Sequence, residues 1–405
     1  MKTDFSATKA MFDLPEGVTY LDGNSLGPLP RSVNARLSEV VSGEWGKLLI
    51  GGWRERDQAG AGWMGLPARV GDRVARLIGA EPGSVVMGDT LSIKVYQALA
   101  SALDMNPGRR VILSDTGNFP SDLYIAQGLC RTLGPDYRLV TVAPEAVEDA
   151  IDESVAALMI TEVDYRTGRR HDMARLTTKA HAAGVLTVWD LAHSAGALPV
   201  HLADCGADFA IGCTYKYLNS GPGGPAFIYV APRHQETARP ALSGWLGHEA
   251  PFAFDLDYRP AGGIERMRVG TPPVLQLAAL DAALDVWNNV DLADLRARSL
   301  ELCDLFIAEV ERACPELTLA TPRDHALRGS QVSFRHPHGY AIMQALIARG
   351  VIGDFRAPDI LRFGFTPLYI DTGDVKRAAN TLHQVMSERL WTTAGAGAPS
   401  GKSVT

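Results

Sequence analysis

Short apolar runs alternate regularly with amphipathic segments from about residue 66, and this pattern constrains the fold of the chain more than any other feature. The segment ARVGDRVARLIGA has apolar residues at helical spacing, whereas VILSD and VLTVW have the composition of buried strands. Strands that are apolar throughout and are separated by helices are typical of a mainly parallel sheet covered by helices. The sequence therefore predicts an α/β fold.

The pattern changes near residue 275, where two long helical stretches precede short strands and further helices, as in a smaller α+β domain. Within the earlier part, the sequence predicts a loop at 44–53 and a helix at 145–152. We expect four parts: an N-terminal segment at 1–65 that contributes to the active site and the small domain, a large domain at 66–274, a small C-terminal domain at 275–390, and a disordered Gly- and Ala-rich tail at 391–405.

Composition and charge limit the classes of protein that fit this pattern. The chain has 405 residues and a net charge of −7, which disfavours a general nucleic-acid-binding protein. Its five cysteines show no C-x-x-C spacing, which argues against a disulfide scaffold and a cysteine-based zinc site. No apolar run reaches the ~18–20 residues of a membrane helix, and the N-terminus lacks a signal-peptide core. We expect a cytoplasmic enzyme with neither a metal site nor a membrane contact.

Two polar residues at the ends of predicted strands suggest a specific cofactor. Lys216 follows the apolar strand ADFAIG, and Asp190 ends the strand VLTVW, at the sheet edge where α/β folds bind ligands. Pyridoxal phosphate needs a lysine for its aldehyde, a carboxylate for its ring nitrogen and donors for its phosphate. Each residue also has a simpler interpretation: Lys216 as a surface lysine and Asp190 as a helix N-cap. His193 either stacks near the ring or packs under the loop.

One predicted helix start offers donors for the phosphate. Thr90 and Ser92 stand where free backbone N–H groups and the helix dipole favour an anion, although ordinary helix capping is the alternative. No G-x-G-x-x-G follows the early strands, and the Gly-rich loop 221–224 is too short and too late for a dinucleotide or P-loop site. The sequence therefore does not support a nicotinamide cofactor.

Several motifs, taken together, resemble one enzyme family. YLDGNSLGP, FPSD at 119–122, WDLAHSAGALPV and TYKYLNSGPGG are similar to segments of fold-type I pyridoxal phosphate enzymes of the class V aminotransferase group. GWLGH, RVGTPP and GVIGDFRAPDILRFGF narrow the resemblance to the kynureninases, over about residues 18–388. The resemblance implies an aspartate aminotransferase-like large domain that binds pyridoxal 5′-phosphate, a homodimer, and hydrolysis of L-kynurenine to anthranilate and L-alanine in tryptophan degradation.

The resemblance also implies roles for individual residues. Lys216 would bond the cofactor's aldehyde, Asp190 would hold its ring nitrogen, and Tyr215 would contact the phosphate and take part in acid chemistry. Trp245 and Thr271 match residues that reach the cofactor from the neighbouring subunit. The other cofactor contacts implied in this way are Leu91, Ser92, Phe119, Pro120, Ser121, Asp122, Thr161 and His193.

Four positions match substrate contacts of the family. Arg362 corresponds to the arginine that binds the substrate carboxylate, a role suited to a bidentate guanidinium, and a surface charge at a strand end is the alternative. Trp53, Gly270 and Thr271 match the bacterial type, which favours L-kynurenine over 3-hydroxykynurenine. For Trp53, a tryptophan packed at an interface is the alternative.

The same fold also serves functions other than kynurenine hydrolysis. A cysteine desulfurase or selenocysteine lyase needs a nucleophilic cysteine on a loop of the C-terminal half, and the corresponding stretch RDHALRGSQVSF at 323–334 contains none. An aminotransferase would need a keto-acid half-reaction. A non-catalytic binding protein with this fold would not need Lys216 or Asp190, and both are present.

Overall fold

The computed structural model describes residues 2–54 and 62–392, so the predicted tail lies outside the described residues from 393 onward. The chain divides into two compact units. Unit 1 consists of Met1–Arg31, Val163–Arg170 and Asp285–Thr405, and unit 2 consists of Ser32–Glu162 and His171–Leu284. Among the described residues, none of the helices combines the length and the apolar character needed to cross a bilayer.

The strands, in chain order, are β1 (Thr19–Tyr20), β2 (Val85–Met87), β3 (Val111–Asp115), β4 (Arg138–Val142), β5 (Val155–Thr161), β6 (Leu186–Asp190), β7 (Phe209–Gly212), β8 (Phe227–Val230), β9 (Thr318–Leu319), β10 (Gln331–Arg335), β11 (Val351–Ile352), β12 (Asp354–Arg356) and β13 (Ile360–Gly364). The α-helices are α1 (Phe5–Lys9), α2 (Arg31–Glu39), α3 (Gly46–Leu48), α4 (Gly62–Leu77), α5 (Leu91–Met105), α6 (Pro120–Leu133), α7 (Met173–Ala182), α8 (Val274–Ala283), α9 (Leu292–Ala313), α10 (Gly339–Ile347) and α11 (Thr372–Ser387).

Unit 2 is built around a seven-stranded sheet with the order β2-β8-β7-β6-β5-β3-β4. Strands β4, β3, β5, β6 and β7 run parallel, and β8 is antiparallel to both β7 and β2. All residues of β3, β5 and β7 are buried, as expected for strands covered on both faces. The predicted α/β fold with a mainly parallel sheet is confirmed.

The helices of unit 2 follow the apolar periodicity of the sequence. Val70, Val74 and Leu77 lie on the buried side of α4, because residues three and four apart share one helix face. Helix α5 packs Val95, Leu99 and neighbouring residues into the same core as the sheet. Helix α5 therefore packs against the sheet and covers part of its apolar surface.

Two local predictions for unit 2 are wrong. The stretch 44–53 is helical rather than a loop, since a π-helical turn, α3 and a 3-10 turn follow one another there. Contacts with Trp63 help to hold this stretch in place. Its indole N–H donates to Glu44 at 2.6 Å, and its ring fills the space beside Gly52. The predicted helix at 145–152 is only a 3-10 turn at Pro144–Ala146, and the Asp152 side chain caps a turn instead.

Unit 1 contains a four-stranded antiparallel sheet, β12-β13-β10-β9, and a separate parallel pair, β1 with β11. Phe306 of α9 packs against Phe334, Phe363 and Phe365, with ring centroids 5.0–6.2 Å apart. The register sets Asp354 of β12 directly opposite Arg362 of β13. Because side chains alternate along a strand, Asp354 and Arg356 lie on one face of the sheet.

Candidate active site

The carboxyl ends of four parallel strands meet at one edge of the unit 2 sheet. Strand β5 ends at Thr161 and β6 at Asp190, and these two residues are paired in register. The segment after β7 carries Tyr215 and Lys216, and the segment after β3 leads to Phe119. The topology therefore gathers the predicted cofactor residues at the edge where open α/β sheets bind ligands.

Lys216 is half-buried at this edge, where its ammonium group meets His193. The Nζ atom of Lys216 lies 2.9 Å from Nε2 of His193. It also lies 6.0 Å from the ring centroid of Phe119 and 5.8 Å from that of Tyr215. Lys216 is therefore not a fully exposed surface lysine, and the buried His193 lies in contact with it.

The loop that carries Lys216 is fixed by its own hydrogen bonds. Thr214 donates its hydroxyl to Pro225 O at 2.6 Å and lies 2.8 Å from the Ser220 hydroxyl. The amide of Asn219, a residue with φ of 57°, donates to Lys216 O at 3.0 Å. Thr214 and Ser220 were not among the predicted site residues, since nothing in their spacing distinguishes them from ordinary turn residues.

Two buried carboxylates lie beneath Lys216. Asp190 accepts a hydrogen bond from the Ala192 amide at 2.7 Å and a longer one from the Thr161 hydroxyl at 3.4 Å. Burial raises the pKa of Asp190, and burial together with the nearby Asp190 charge raises the pKa of Asp122 well above its ordinary value. The neighbouring Lys216 cation opposes both shifts. Burial therefore outweighs the charge of Lys216 at both carboxyl groups, and both pKa values stay raised.

The Asp122 side chain also supplies an observation about what the site could bind. Its Oδ2 atom is buried and has no hydrogen-bond partner among the described residues. An unpaired buried carboxylate oxygen is costly unless a donor reaches it. A protonated ring nitrogen held between these acids would supply both the donor and the positive charge, so the acid pair fits the pyridinium of pyridoxal phosphate.

Asn118 organises the segment that presents Phe119. Its side chain accepts from the Phe119 amide at 2.7 Å and from the Thr161 hydroxyl, and it donates to the Ser114 hydroxyl at 3.0 Å. Phe119 remains 42% exposed. Asn118 was missed as a site residue, although its position directly before FPSD could have marked it.

Two helix N-termini converge next to this segment. Helix α5 begins at Leu91 after an extended Thr90 that makes no side-chain capping bond, and α6 begins at Pro120. The hydroxyls of Ser92 and Ser121 lie 3.2 Å apart, one in each first turn. Simple capping by Thr90 is thus not observed. The two first turns form a group of donors suited to a phosphate.

The other residues predicted for unit 2 have different surroundings. Trp53 packs edge-to-face on Trp63 with ring centroids 5.4 Å apart. Trp245 is 44% exposed and meets Phe252 at 5.9 Å between ring centroids. Gly270 and Thr271 are both exposed.

Arg362 lies in unit 1 and is buried, with 1% of its surface exposed, so the alternative of a surface charge is wrong. Its Nε atom donates to Asp354 Oδ1 at 2.6 Å, and its Nη2 atom donates to Asp354 Oδ2. Nη2 also donates to the Ser25 hydroxyl at 2.9 Å, and Nη1 donates to the carbonyl of Tyr165. Although burial opposes it, the Arg362 charge keeps the pKa of Asp354 below its ordinary value.

The cysteines give no support to a catalytic thiol. Cys303 and Cys314 are buried on α9 and at its end. Burial raises the pKa of both thiols, to about 12 for Cys303 and about 11 for Cys314. A nucleophilic cysteine needs a lowered pKa and access to substrate.

Comparisons with known proteins identify several relatives of this chain. The model of the kynureninase C-terminal domain matches residues 295–382. A kynureninase of Deinococcus radiodurans is 55% identical over 382 residues, which are 94% of this chain and 93% of the relative. A kynureninase of Pseudomonas fluorescens is 51% identical over 393 residues, which are 95% of this chain and 93% of the relative.

Solved structures with a similar fold include two cysteine desulfurases. The apo structure from Thermococcus onnurineus NA1 has a TM-score of 0.80 at 19% identity and covers 96% of this chain and 100% of that one. The Escherichia coli enzyme has a TM-score of 0.79 at 19% identity and covers 95% of this chain and 99% of that one. At this level of identity the likeness establishes the fold and leaves the reaction to the site itself.

Proposed function

Because this chain belongs to the kynureninase family, we propose that it hydrolyses L-kynurenine to anthranilate and L-alanine with pyridoxal 5′-phosphate held at the sheet edge of unit 2. The observation that carries the proposal is the position of Lys216 beside the buried pair Asp190 and Asp122. Lysine, carboxylate and helix N-termini are the three groups that this cofactor requires.

Each part of the cofactor has matching groups in unit 2. Lys216 would bond the aldehyde carbon, and Asp190 with Asp122 would hold the ring nitrogen. Phe119 would cover the ring, with His193 and Thr161 near it. The phosphate would lie at the first turns of α5 and α6, where the contacting residues are Leu91, Ser92, Pro120 and Ser121, with Tyr215 as a further donor.

The cofactor, when bound, withdraws electrons from the substrate and so makes its α-proton removable. Lys216 would act as the base for that proton, at its Nζ atom. His193, 2.9 Å from Nζ, fixes the direction in which Lys216 points. Asp190 would keep the ring nitrogen protonated, because a buried carboxylate is stabilised by a nearby cation.

Tyr215 is the candidate donor for the carbon left after cleavage. Water adds to the γ-ketone of the substrate, the Cβ–Cγ bond breaks, anthranilate leaves and the remaining three-carbon unit takes up a proton. The nearby Cys213 and burial raise the pKa of Tyr215 well above its ordinary value. A tyrosine with an ordinary pKa of ~10 is already protonated at neutral pH, so the Tyr215 hydroxyl would act as a proton donor rather than as a base.

Substrate recognition divides between two kinds of contact. Arg362 would bind the α-carboxylate, while Trp53, Gly270 and Thr271 would contact the aromatic ring. Since these ring contacts offer no histidine or asparagine to a 3-hydroxyl group, 3-hydroxykynurenine should be the poorer substrate. Comparing kcat/KM for the two substrates tests this preference, and a higher value for 3-hydroxykynurenine would contradict it.

A homodimer is part of the proposal. Large apolar side chains are exposed near Trp245, among them Phe252 at 59%, Phe254 at 77% and Leu256 at 102%. Contiguous exposed apolar surface marks an interaction site. A second copy of the chain would cover it and receive Trp245 and Thr271. We place the enzyme in the cytoplasm, because its five scattered cysteines lack the spacing of a disulfide scaffold.

The test of the proposed function is direct. Purified protein reconstituted with pyridoxal 5′-phosphate is incubated with L-kynurenine, and anthranilate fluorescence and L-alanine are measured. Equal amounts of the two products are expected. L-cysteine serves as the control substrate, and sulfide release without anthranilate would favour the desulfurase instead.

A further inference from the structure

In unit 1, Arg362 forms a cluster with Asp354 and Ser25, and this cluster contains a second arginine. Arg356 of β12 lies two residues beyond Asp354, on the same face of the sheet. Its Nη2 atom lies 2.8 Å from Asp354 Oδ2 and donates to the Ser25 hydroxyl at 3.2 Å. Arg362 contacts the same two residues. The two guanidinium groups are thus joined through one carboxylate and one hydroxyl.

Arg362 alone has few donors left for a substrate. A guanidinium carries five N–H groups, and four of those on Arg362 are engaged by Asp354, Ser25 and Tyr165. One N–H on Nη1 therefore remains uncommitted within the described part of the chain. A two-pronged grip on a carboxylate needs a second donor from another residue.

Arg356 offers that donor. Its Nη1 atom uses one N–H for Phe355 O at 2.9 Å, and no bond of its Nε atom to a described residue is observed. The Arg356 side chain keeps 19% of its surface exposed, whereas Arg362 is almost completely buried. An entering carboxylate could therefore reach Arg356 without displacing Asp354.

The charges of the cluster also call for an anion. Arg356 and Arg362 contribute two positive charges and Asp354 contributes one negative charge. Burial and the Asp354 charge raise the pKa of Asp22 to about 8, so Asp22 is mostly neutral at pH 7. One buried positive charge is left over, and such a charge is costly without a partner.

We propose that Arg356 is a second substrate-binding arginine, which grips the α-carboxylate together with Arg362, and that Ser25 and Asp354 hold both guanidinium groups in position. This inference rests on the proposed function, since the ligand is the α-carboxylate of an aromatic amino acid. It predicts that amino-acid substrates are recognised by two guanidinium groups sharing a single counter-ion.

The test uses the reconstituted holoenzyme and the variants Arg356→Gln and Arg356→Lys. Loss of a charge-assisted hydrogen bond should raise KM for L-kynurenine about 10- to 100-fold, with kcat changed much less. Arg356→Lys should restore part of the affinity. Arg335→Gln removes a partly exposed arginine from the adjacent strand β10, where it pairs with Asp359, and should leave KM unchanged.

A ligand without the carboxylate separates binding from a general structural effect. Affinity for the decarboxylated amine analogue of L-kynurenine, followed by the absorbance of the bound cofactor, should be the same in the wild type and Arg356→Gln. Equal weakening for both ligands, or an unchanged KM for L-kynurenine, would overturn the proposal.

The subsite and the reaction can be judged separately. L-Alanine retains the α-carboxylate, so its binding to the holoenzyme should also weaken in Arg356→Gln. A wild-type protein that binds L-alanine through Arg356 but releases no anthranilate would support the subsite and refute the hydrolase. Anthranilate release with L-alanine binding insensitive to Arg356 would refute the subsite and keep the hydrolase.

Discussion

Lys216 and His193 follow different strands of one parallel sheet, β7 and β6, and their side chains meet with Nζ and Nε2 2.9 Å apart. Two side chains fixed by adjacent strands need little reordering before they act together. This contact gives Lys216 a defined direction in a half-buried position, where an unrestrained lysine would sample many rotamers.

Replacing Lys216 should remove the central group of the site. We expect Lys216→Ala to lower kcat by roughly 10³-fold or more, because no other described lysine can take over both the bond to the cofactor and the α-proton. Anthranilate fluorescence gives the rate, and the absorption band of the lysine-bound cofactor should disappear. Lys179→Ala, an exposed lysine on α7, should behave as the wild type. Normal turnover by Lys216→Ala would refute the assignment.

Tyr215→Phe tests the proton donor. The change removes only the hydroxyl, so we expect kcat to fall on the order of 10²-fold while KM for L-kynurenine stays nearly constant. Tyr124→Phe is a matched control, since Tyr124 is 66% exposed on α6. An equal loss in both variants, or a loss confined to KM, is incompatible with a role in proton delivery.

The buried acids should destabilise the cofactor-free protein as pH rises. Their pKa values are raised by burial, so the folded chain keeps protons that the unfolded chain has released above about pH 4. The free energy of unfolding then falls with increasing pH, opposite to the effect of a salt-bridged carboxylate. Asp190→Asn should make the fall in melting temperature of the apo protein shallower between about pH 5 and pH 8.

The control for this experiment is Asp149→Asn, which changes an exposed aspartate of the same unit. It should keep the wild-type slope of melting temperature against pH. An Asp190→Asn slope identical to that of the wild type would mean that the pair is not destabilised by burial.

Asp22 should limit substrate binding at alkaline pH. Its pKa of about 8 arises from burial and from the Asp354 charge, and its ionisation cancels the excess positive charge shared by Arg356 and Arg362. We expect KM for L-kynurenine to rise on the order of 3- to 10-fold from about pH 7 to pH 9.

Asp22→Asn should flatten that rise. The amine of the substrate also titrates in this range, but it does so equally for both proteins, so the difference between the two pH profiles isolates Asp22. The remaining groups near Asp22, which are Asp354, the two arginines, Tyr20 and Tyr165, are unchanged in the variant. Parallel profiles for variant and wild type would exclude this role for Asp22.

Mixed dimers test whether Trp245 serves the site of the other subunit. Lys216→Ala and Trp245→Ala proteins are prepared separately and by co-expression. Random pairing gives half mixed dimers with one intact site each, so activity should recover to about a quarter of the wild-type value. Without recovery, Trp245 would belong to the site of its own chain. Analytical ultracentrifugation of each preparation reports the assembly.

The sequence predicted the sheet of unit 2 well because its strands are apolar throughout and its helices are strictly periodic, as in β5 and α4. It failed at 44–53, where the indole of Trp63 and the carboxylate of Glu44 organise residues that would otherwise form a loop. It failed at 145–152, where Val147 and Ile151 are buried from turns that follow the 3-10 segment Pro144–Ala146, so their apolar spacing does not require a helix.

Part of the candidate site could also be predicted from the sequence. Lys216 and Asp190 follow apolar strands, so their position could be read from the order of residues. The link between Ser25 and Arg356 could not, since it joins parts of the chain more than three hundred residues apart. Hydrogen bonds that hold the loops in place are made by Asn118, Thr214 and Ser220. A single sequence does not show which groups these side chains will meet, so the three residues could not be predicted.

The composition of unit 1 from three separated stretches has a consequence for biosynthesis. Strand β1 pairs with β11, and Ser25 pairs with residues of β12 and β13, so these contacts await residues that are synthesised more than three hundred positions later. Unit 2 is complete in sequence at Leu284. Domains of nascent chains fold as their sequences emerge. The lysine-bearing sheet should therefore form first, and amino-acid recognition should mature only after strands β12 and β13 have been synthesised.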